Sequence, residues 1–346
     1  MTLPSPFLMS WWLDHVAVGS PQFVLVVDGD RLVGGAAFQI RELAGVELVE
    51  LLGQGPLEPD HLDVVANPVD AVGIRRVTTA VNEWLSRPGS RVISLDGIAE
   101  YAHLLDAVAG LGSTTSTLVA PYVPLSDDAA AYLAARPGRV RSTITRSDKR
   151  MTKAGVTFRV RNETSTPDEI DAALGDLHRL HDGRWGEASG VTDGWPSFEM
   201  ALRHGTAAGD VVIHELVDTH GACIATEVEF VVAARASFYQ AGRDTDHEHR
   251  GSGSVLKWRV IQSLIANGCT EFDLLRGDEP YKTEWATDHR RLLGVRGAIG
   301  ARAKVTLAAQ DAKRRVLLWR HERALRRAAQ ADENAGDGQV ASEQAA

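Results

Sequence analysis

The sequence predicts a mixed α/β fold made of two similar sheet-and-helix units, and three observations predict it. Short apolar runs of strand length alternate with stretches whose apolar residues recur every three to four positions. This alternation runs once before residue 125 and again after residue 153. The length, 346 residues, suits about two domains.

Taken in order, Val24 to Val27 and Leu32 to Ile40 flank Asp28-Gly29-Asp30 and read as a hairpin. Val46 to Leu52 is a third strand. Pro68 to Leu85 carries helical spacing through Val72, Val77, Val81, Trp84 and Leu85, and Arg91 to Asp96 returns to strand. A linker is expected near Pro121 to Pro137. Thr166-Pro167-Asp168-Glu169 opens the next helix with a capping residue, a proline at the first helical position and an acidic first turn. Val211 to Val217, Ile224 to Val232 and Ala236 to Ala241 are successive strands. Residues 254–267 form a helix with a broad apolar stripe that includes Val255, Trp258, Ile261 and Ile265, and Gly268 stops it. The resulting division is 1–125 for the first unit, 126–152 for a basic linker or helix, 153–303 for the second unit, 304–330 for a C-terminal helix and 331–346 for a disordered tail.

Composition narrows the function classes. Apolar residues make up 44% and charged residues 24%, ordinary values for a globular protein. The formal net charge is −9, of which Asp332, Glu333, Asp337 and Glu343 in the tail supply four, and this acidity disfavours general nucleic-acid binding. Cys223 and Cys269 are too few and too far apart for a disulfide framework or a structural zinc site, and read as buried thiols. No run approaches the roughly 18 apolar residues of a membrane span, and the first residues lack a secretory pattern, so a cytoplasmic enzyme is expected. His178 and His181 lie three apart with no third ligand signalled, so no metal is expected. No Gly-x-Ser-x-Gly elbow is present and neither cysteine has a catalytic setting, which argues against a covalent acyl-enzyme.

Two stretches combine charge with amphipathic spacing. Arg136 to Lys153 holds Arg136, Arg139, Arg141, Arg146, Lys149, Arg150 and Lys153 against Asp148 alone. It reads either as a solvated helix face or as a contact for phosphates or an anionic surface. Lys304 to Arg327 sets Val305, Leu307, Val316, Leu317, Trp319 and Leu325 beside many cations, and reads either as a helix packed back on the domain or as one lying on a membrane surface.

Residues 237–285 carry most of the chemistry. After the strand ending near Ala241, Arg250-Gly251-Ser252-Gly253-Ser254 forms a glycine-rich turn that opens a helix. Such a turn leaves the first N–H groups unpaired at the positive end of the helix dipole, a seat for a phosphate. Gly251 and Gly253 let the backbone approach an anion, Arg250 adds a charged fork, and the hydroxyls of Ser252 and Ser254 cap the helix or donate to the ligand.

Arg250 to Val255 resembles the Arg/Gln-x-x-Gly-x-Gly/Ala pyrophosphate loop of GNAT-superfamily N-acyltransferases, with Val255 departing from the pattern at its last position. Phe272-Asp273 through Arg276-Gly277-Asp278-Glu279-Pro280-Tyr281-Lys282 looks like the end of the GNAT-like domain in proteins grouped with cellulose-biosynthesis acetyltransferases. A related aromatic-lysine pair occurs in the Fem-type transferases that build peptidoglycan cross-bridges, and both groups have two GNAT-like halves. Ser5-Pro6-Phe7 with Trp11-Trp12, and then Phe23 to Gly35, look like the opening helix and hairpin of a first half. Leu180-His181-Asp182-Gly183-Arg184-Trp185 resembles a Leu-His-x-x-Arg-Trp segment that starts the second.

The resemblance implies tandem GNAT-like domains and an N-acyltransferase. It would move an acyl group from acetyl-CoA or another acyl-CoA to an amine of a small molecule, an amino sugar or an envelope precursor. Arg250, Gly251, Ser252, Gly253 and Ser254 would hold the cofactor. Tyr281 would protonate the departing thiolate, and the charge of Lys282 would face an oxyanion or an acceptor phosphate, unless Lys282 pairs with Asp278 or Glu284 to hold its loop. Backbone N–H groups near Tyr239 to Gly242 would hold the acyl carbonyl. Arg184 and Trp185 would face substrate, or Trp185 would sit in the core. Asp60, in Asp60-His61-Leu62-Asp63, would hold an acceptor amine or hydroxyl, or order its own loop. The first half has no equivalent glycine turn, so one cofactor per chain is expected. The alternatives are a Fem-type transferase drawing an aminoacyl group from tRNA, the one reading that brings a nucleic acid, and a degenerate binding protein. The oligomeric state is left open.

Overall fold

The structure is a computed structural model that describes residues 19–43, 45–54, 59–185, 195–246 and 249–317, with 319 and 323. The segment Ser5 to Trp12, read above as an opening helix, and the tail at 331–346 lie outside the described residues.

The first half begins with the hairpin of β1 (Ser20–Asp28) and β2 (Arg31–Leu43), closed at Asp28 opposite Arg31. β3 (Val46–Leu51) continues antiparallel, and β4 (Val65–Ala66) makes a short pairing with β2. In α1 (Ala71–Ser86), Ile74, Val77, Val81 and Leu85 recur at helical spacing and bury one face against the sheet. Its start is fixed by the Asp70 carboxylate, which accepts from Val72 N at 3.1 Å and Gly73 N at 2.9 Å. β5 (Arg91–Ala99) returns parallel to β3, and α2 (Leu104–Ala107) leads into β6 (Ser113–Pro124). Two helices, α3 (Ala129–Ala134) and α4 (Gly138–Lys153), join the halves.

The second half repeats the plan with β7 (Thr157–Arg161), α5 (Pro167–Trp185), α6 (Trp195–Ala207), β8 (Val211–Val217), β9 (Cys223–Val232) and β10 (Arg235–Arg243). It ends with α7 (Ser252–Ala266), β11 (Glu271–Asp273), α8 (Pro280–Trp285), β12 (Asp288–Ile299) and α9, residues 301–317. The capping residue expected at Thr166 forms a reciprocal capping box: Glu169 N donates to Thr166 Oγ1 and Thr166 N to Glu169 Oε2.

The twelve strands among the described residues share one sheet, ordered β1-β2-β3-β5-β12-β6-β11-β10-β9-β8-β7 with β4 on β2. β12, last in the chain, lies between β5 and β6, and β6 lies between β12 and β11. Each half therefore places its last strand inside the other half's sheet. Pro121 to Pro124, expected to begin a linker, belong to β6, and the chain leaves the sheet only after Pro124. The prolines are tolerated because β6 changes partner here, from β12 up to Tyr122 to β11 from Tyr122 to Pro124. Apolar cores lie under α1, under α7 with α3 and α4, and between α5 or α6 and the opposite face.

Candidate functional site

β10 and β11 are parallel neighbours joined through α7, so the start of α7 and the loop after β11 lie at the same end of the sheet. Ligands of open α/β sheets bind at this carboxyl end. The pairing of β10 with β11 stops at Ser237 opposite Asp273, although β10 runs on to Arg243. Beyond Ser237 its β11-facing edge is not in that ladder. On its other edge β10 pairs with β9, with a bulge at Tyr239 between Phe238 and Gln240. The Tyr239 ring packs on Phe198 and Phe230, so its side chain serves the core between sheet and helices, and its backbone forms the irregular segment.

The expected glycine turn opens α7. Gly251 is the N-cap at φ +87°, a left-handed value that favours glycine. The first helical hydrogen bond runs from Val255 N to Gly251 O at 3.1 Å, so the N–H groups of Ser252, Gly253 and Ser254 precede it. The Ser252 hydroxyl is fully buried with no hydrogen-bond partner among the described residues. Arg250 is exposed, and a Cβ built on Gly253 would lie 3.2 Å from Arg243 Cδ. Val255, the position that departs from the pattern, is fully buried in the core under α7.

The basic segment Arg136 to Lys153 is mostly α4, and α4 lies against this turn. A Cβ on Gly251 would come within 2.8 Å of Ser147 Oγ, and the Arg150 guanidinium donates to the Arg250 carbonyl. Arg259 of α7 pairs with Asp148 at 2.9 Å and donates to Thr152 Oγ1 at 2.9 Å. One face of α4 thus docks on α7, and Arg139, Arg141, Arg146, Lys149, Arg150 and Lys153 are exposed. His249 and Asp244, 2.9 Å apart, order the approach to the turn.

The loop after β11 is tied to the first half. Asp60 accepts from Arg276 N at 2.6 Å and Arg276 Nε at 2.5 Å, and Arg276 also reaches Asp96 at 3.1 Å and the Pro59 carbonyl at 3.2 Å. Despite burial, Asp60 and Asp96 hold the Arg276 guanidinium firmly charged. The structure therefore places Asp60, expected to face an acceptor, in a clamp between halves with both carboxylate oxygens used. Its neighbour His61 is 2.9 Å from Asp273, which also meets Arg290 at 2.9 Å. Although burial opposes it, the His61 and Leu275 hydrogen bonds and Arg290 hold the Asp273 carboxyl below its ordinary range.

Lys282, also from this loop, is buried. Its ammonium donates to the Arg276 carbonyl, lies 3.5 Å from the Leu275 carbonyl and pairs with Glu279 at 3.0 Å. Its partner is thus Glu279 rather than the expected Asp278 or Glu284, and its three donors all hold the loop. Tyr281 is 38% exposed at the start of α8. The side chains of Arg184 and Trp185 lie outside the described residues. His178 pairs with Asp182 at 3.2 Å and stacks on Trp195.

Sequence reasoning passed over a buried polar cluster under α7. Lys257 pairs with Glu227 and lies over the rings of Phe238 and Phe272, from the two strands that separate at the site. Glu229 meets His214 Nδ1 at 2.6 Å, and His214 Nε2 lies 3.3 Å from Ser263 Oγ. Burial pushes Glu227 up to about 8 and Glu229 up to about 7, and pulls His214 down to about 4. The signal was present as two glutamates two positions apart in an apolar strand, hence on one face.

Comparison with known proteins places this geometry. The acetyltransferase (GNAT) domain family matches residues 138–283, which include the α7 turn and Lys282. No curated protein matches the sequence. Among solved structures, FemX aligns with a TM-score of 0.58 at 9% identity, over 83% of this chain and 90% of that one. L-PGS from Bacillus licheniformis gives 0.53 at 13% identity, over 89% and 96%. The C-terminal domain of a putative lysylphosphatidylglycerol synthetase from Agrobacterium fabrum gives 0.51 at 15% identity, over 87% and 95%. At such identities the likeness concerns the fold. Residues 138–283 thus match an acetyltransferase (GNAT) domain, the mark of an acyltransferase, and the chain as a whole shares its fold with FemX and L-PGS.

Proposed function

We propose that this acyltransferase takes its acyl group from acetyl-CoA or another acyl-CoA and passes it to an amine of a small molecule, an amino sugar or an envelope precursor. The observation that carries the reading is the opening of α7. A left-handed glycine, the early N–H groups of a helix, an unpartnered buried hydroxyl and the nearby Arg243 and Arg250 suit a donor diphosphate. In the first half, among the described residues, the Asp70 carboxylate already occupies the start of α1, and the reading takes a single donor seat. One donor per chain follows.

The chemistry then belongs to the separation of β10 from β11. Backbone N–H groups beyond the Tyr239 bulge are the proposed oxyanion donors, and Tyr281 the proposed proton source for the departing thiolate. Lys282 and Asp60 act as positioning residues, since their polar atoms are spent on the loop containing Arg276. Cys223 and Cys269 are buried and burial pushes both thiols up, so direct attack by the amine is favoured over an acyl-cysteine.

A second reading, transfer of an aminoacyl group from tRNA, is favoured by the exposed cations of α4, six in all, which exceed what one diphosphate neutralises. Calorimetry on the full chain separates the two. The first reading expects one acyl-CoA bound per chain. No acyl-CoA binding, with salt-sensitive binding of aminoacyl-tRNA, would overturn it in favour of the second.

A further inference from the structure

α9 has two faces of different character. On one, Ala303 is buried and Leu307 packs with it against Val46 and Val92. Gln310 and Asp311 on that side meet Arg296 at 3.2 and 3.3 Å. At about 100° per residue the opposite face collects Ala301, Val305, Ala312 and Val316, and carries on to Trp319. All of these are exposed, Val305 at 71%, Val316 at 49% and Trp319 at 55%. The expected packing against the domain thus accounts for one stripe of the helix and leaves an apolar stripe about 27 Å long on which, among the described residues, only the Arg323 guanidinium rests, 5.1 Å from the Trp319 ring.

Charge indicates what covers it. The apolar stripe is flanked by Arg302 and Lys313 on one side and by Lys304 and Arg315 on the other. Asp311 is the only acidic residue from 301 to 319, and it is already paired with Arg296. Pairing with the same helix of a second copy would bring cationic flanks together without acidic partners, which is unfavourable. An apolar stripe with cationic borders and a tryptophan near its end complements an anionic lipid surface. We propose that α9 docks the enzyme on anionic membranes, lying in the plane of the interface with Val305, Val316 and Trp319 inserted and Lys313 and Arg315 over headgroups. It lies on the bilayer rather than across it, because no helix among the described residues is long and apolar enough to span one.

The test is co-sedimentation of the full chain with vesicles of phosphatidic acid and phosphatidylcholine in equal parts, and with phosphatidylcholine alone. Binding is expected to the first and not the second, and to weaken with salt. The double variant Lys313→Gln/Arg315→Gln should lower the partition coefficient roughly 30-fold, the loss expected for two cations near the surface. Val316→Asp should abolish binding; because Val316 is exposed, its thermal unfolding should match wild type, which keeps misfolding from imitating the result. Equal binding to both vesicle types, or a partition unchanged in these variants, would overturn the proposal. So would a dimer in light scattering that Val316→Asp dissociates.

Discussion

Replacing Asp60 by asparagine tests whether the two halves are held by a charge clamp at the candidate site. The carboxylate accepts two hydrogen bonds from Arg276, at 2.6 and 2.5 Å, and its side chain is 1% exposed while that of Arg276 is 15% exposed. Asparagine keeps the shape and one acceptor oxygen and removes the charge. Breaking a buried pair from one side costs about 3–5 kcal/mol. Arg276 retains Asp96 and the Pro59 carbonyl, so a loss somewhat below that range, about 2–3 kcal/mol, is expected. Urea unfolding followed by fluorescence reads it as a lower midpoint. Asp96→Asn is the control, because that carboxylate is 38% exposed and should contribute less than about 1 kcal/mol. If Asp60→Asn instead unfolds at the wild-type midpoint and raises only the acceptor's KM, Asp60 is an acceptor contact and the clamp reasoning fails.

Lys282→Met should lower stability by about 1–3 kcal/mol and turnover with it, because the Arg276 carbonyl and Glu279 lose a buried donor. A variant with wild-type stability and turnover down about a hundredfold would show a direct catalytic charge instead. Burial pushes the Glu227 carboxyl from 4.5 up to about 8, so its contribution to stability is fully present below about pH 4.5 and is lost as pH rises towards 8. Glu227→Gln should therefore gain on wild type between those pH values, at up to about 1.4 kcal/mol per pH unit, and a difference that does not change with pH would refute this.

Much of the fold was legible because its signals are local. The Asp28-Gly29-Asp30 hairpin, the Thr166 cap and the apolar stripe of α7 each follow from a few adjacent residues, and each forms where expected. The interleaving of β6 and β12 was not legible, since which strand pairs with which is decided by contacts between residues far apart in sequence. This is why Pro121 to Pro124 read as linker. The site divides in the same way. The turn at Gly251 is a property of one segment and was seen. The role of Asp60 depends on Arg276 being brought to it from the other half, and the Lys257–Glu227 pair depends on α7 lying over β9, so spacing alone leaves them ambiguous. The backing of the α7 turn by α4 had a sequence signal in the cations of Arg136 to Lys153, but no indication of what they stood beside.

The central claim is that the acyl donor's diphosphate sits against residues 250–254, and Gly253→Val tests it most directly. Gly253 does not have a left-handed φ, and an added Cβ would meet only the Arg243 side chain, at 3.2 Å, so the variant should fold. For wild type, acyl-CoA at a hundred times its dissociation constant should stabilise by about 2.7 kcal/mol, read as a rise in Tm. The account predicts that Gly253→Val keeps its unliganded Tm and loses that rise. A variant that binds acyl-CoA with unchanged affinity would contradict it.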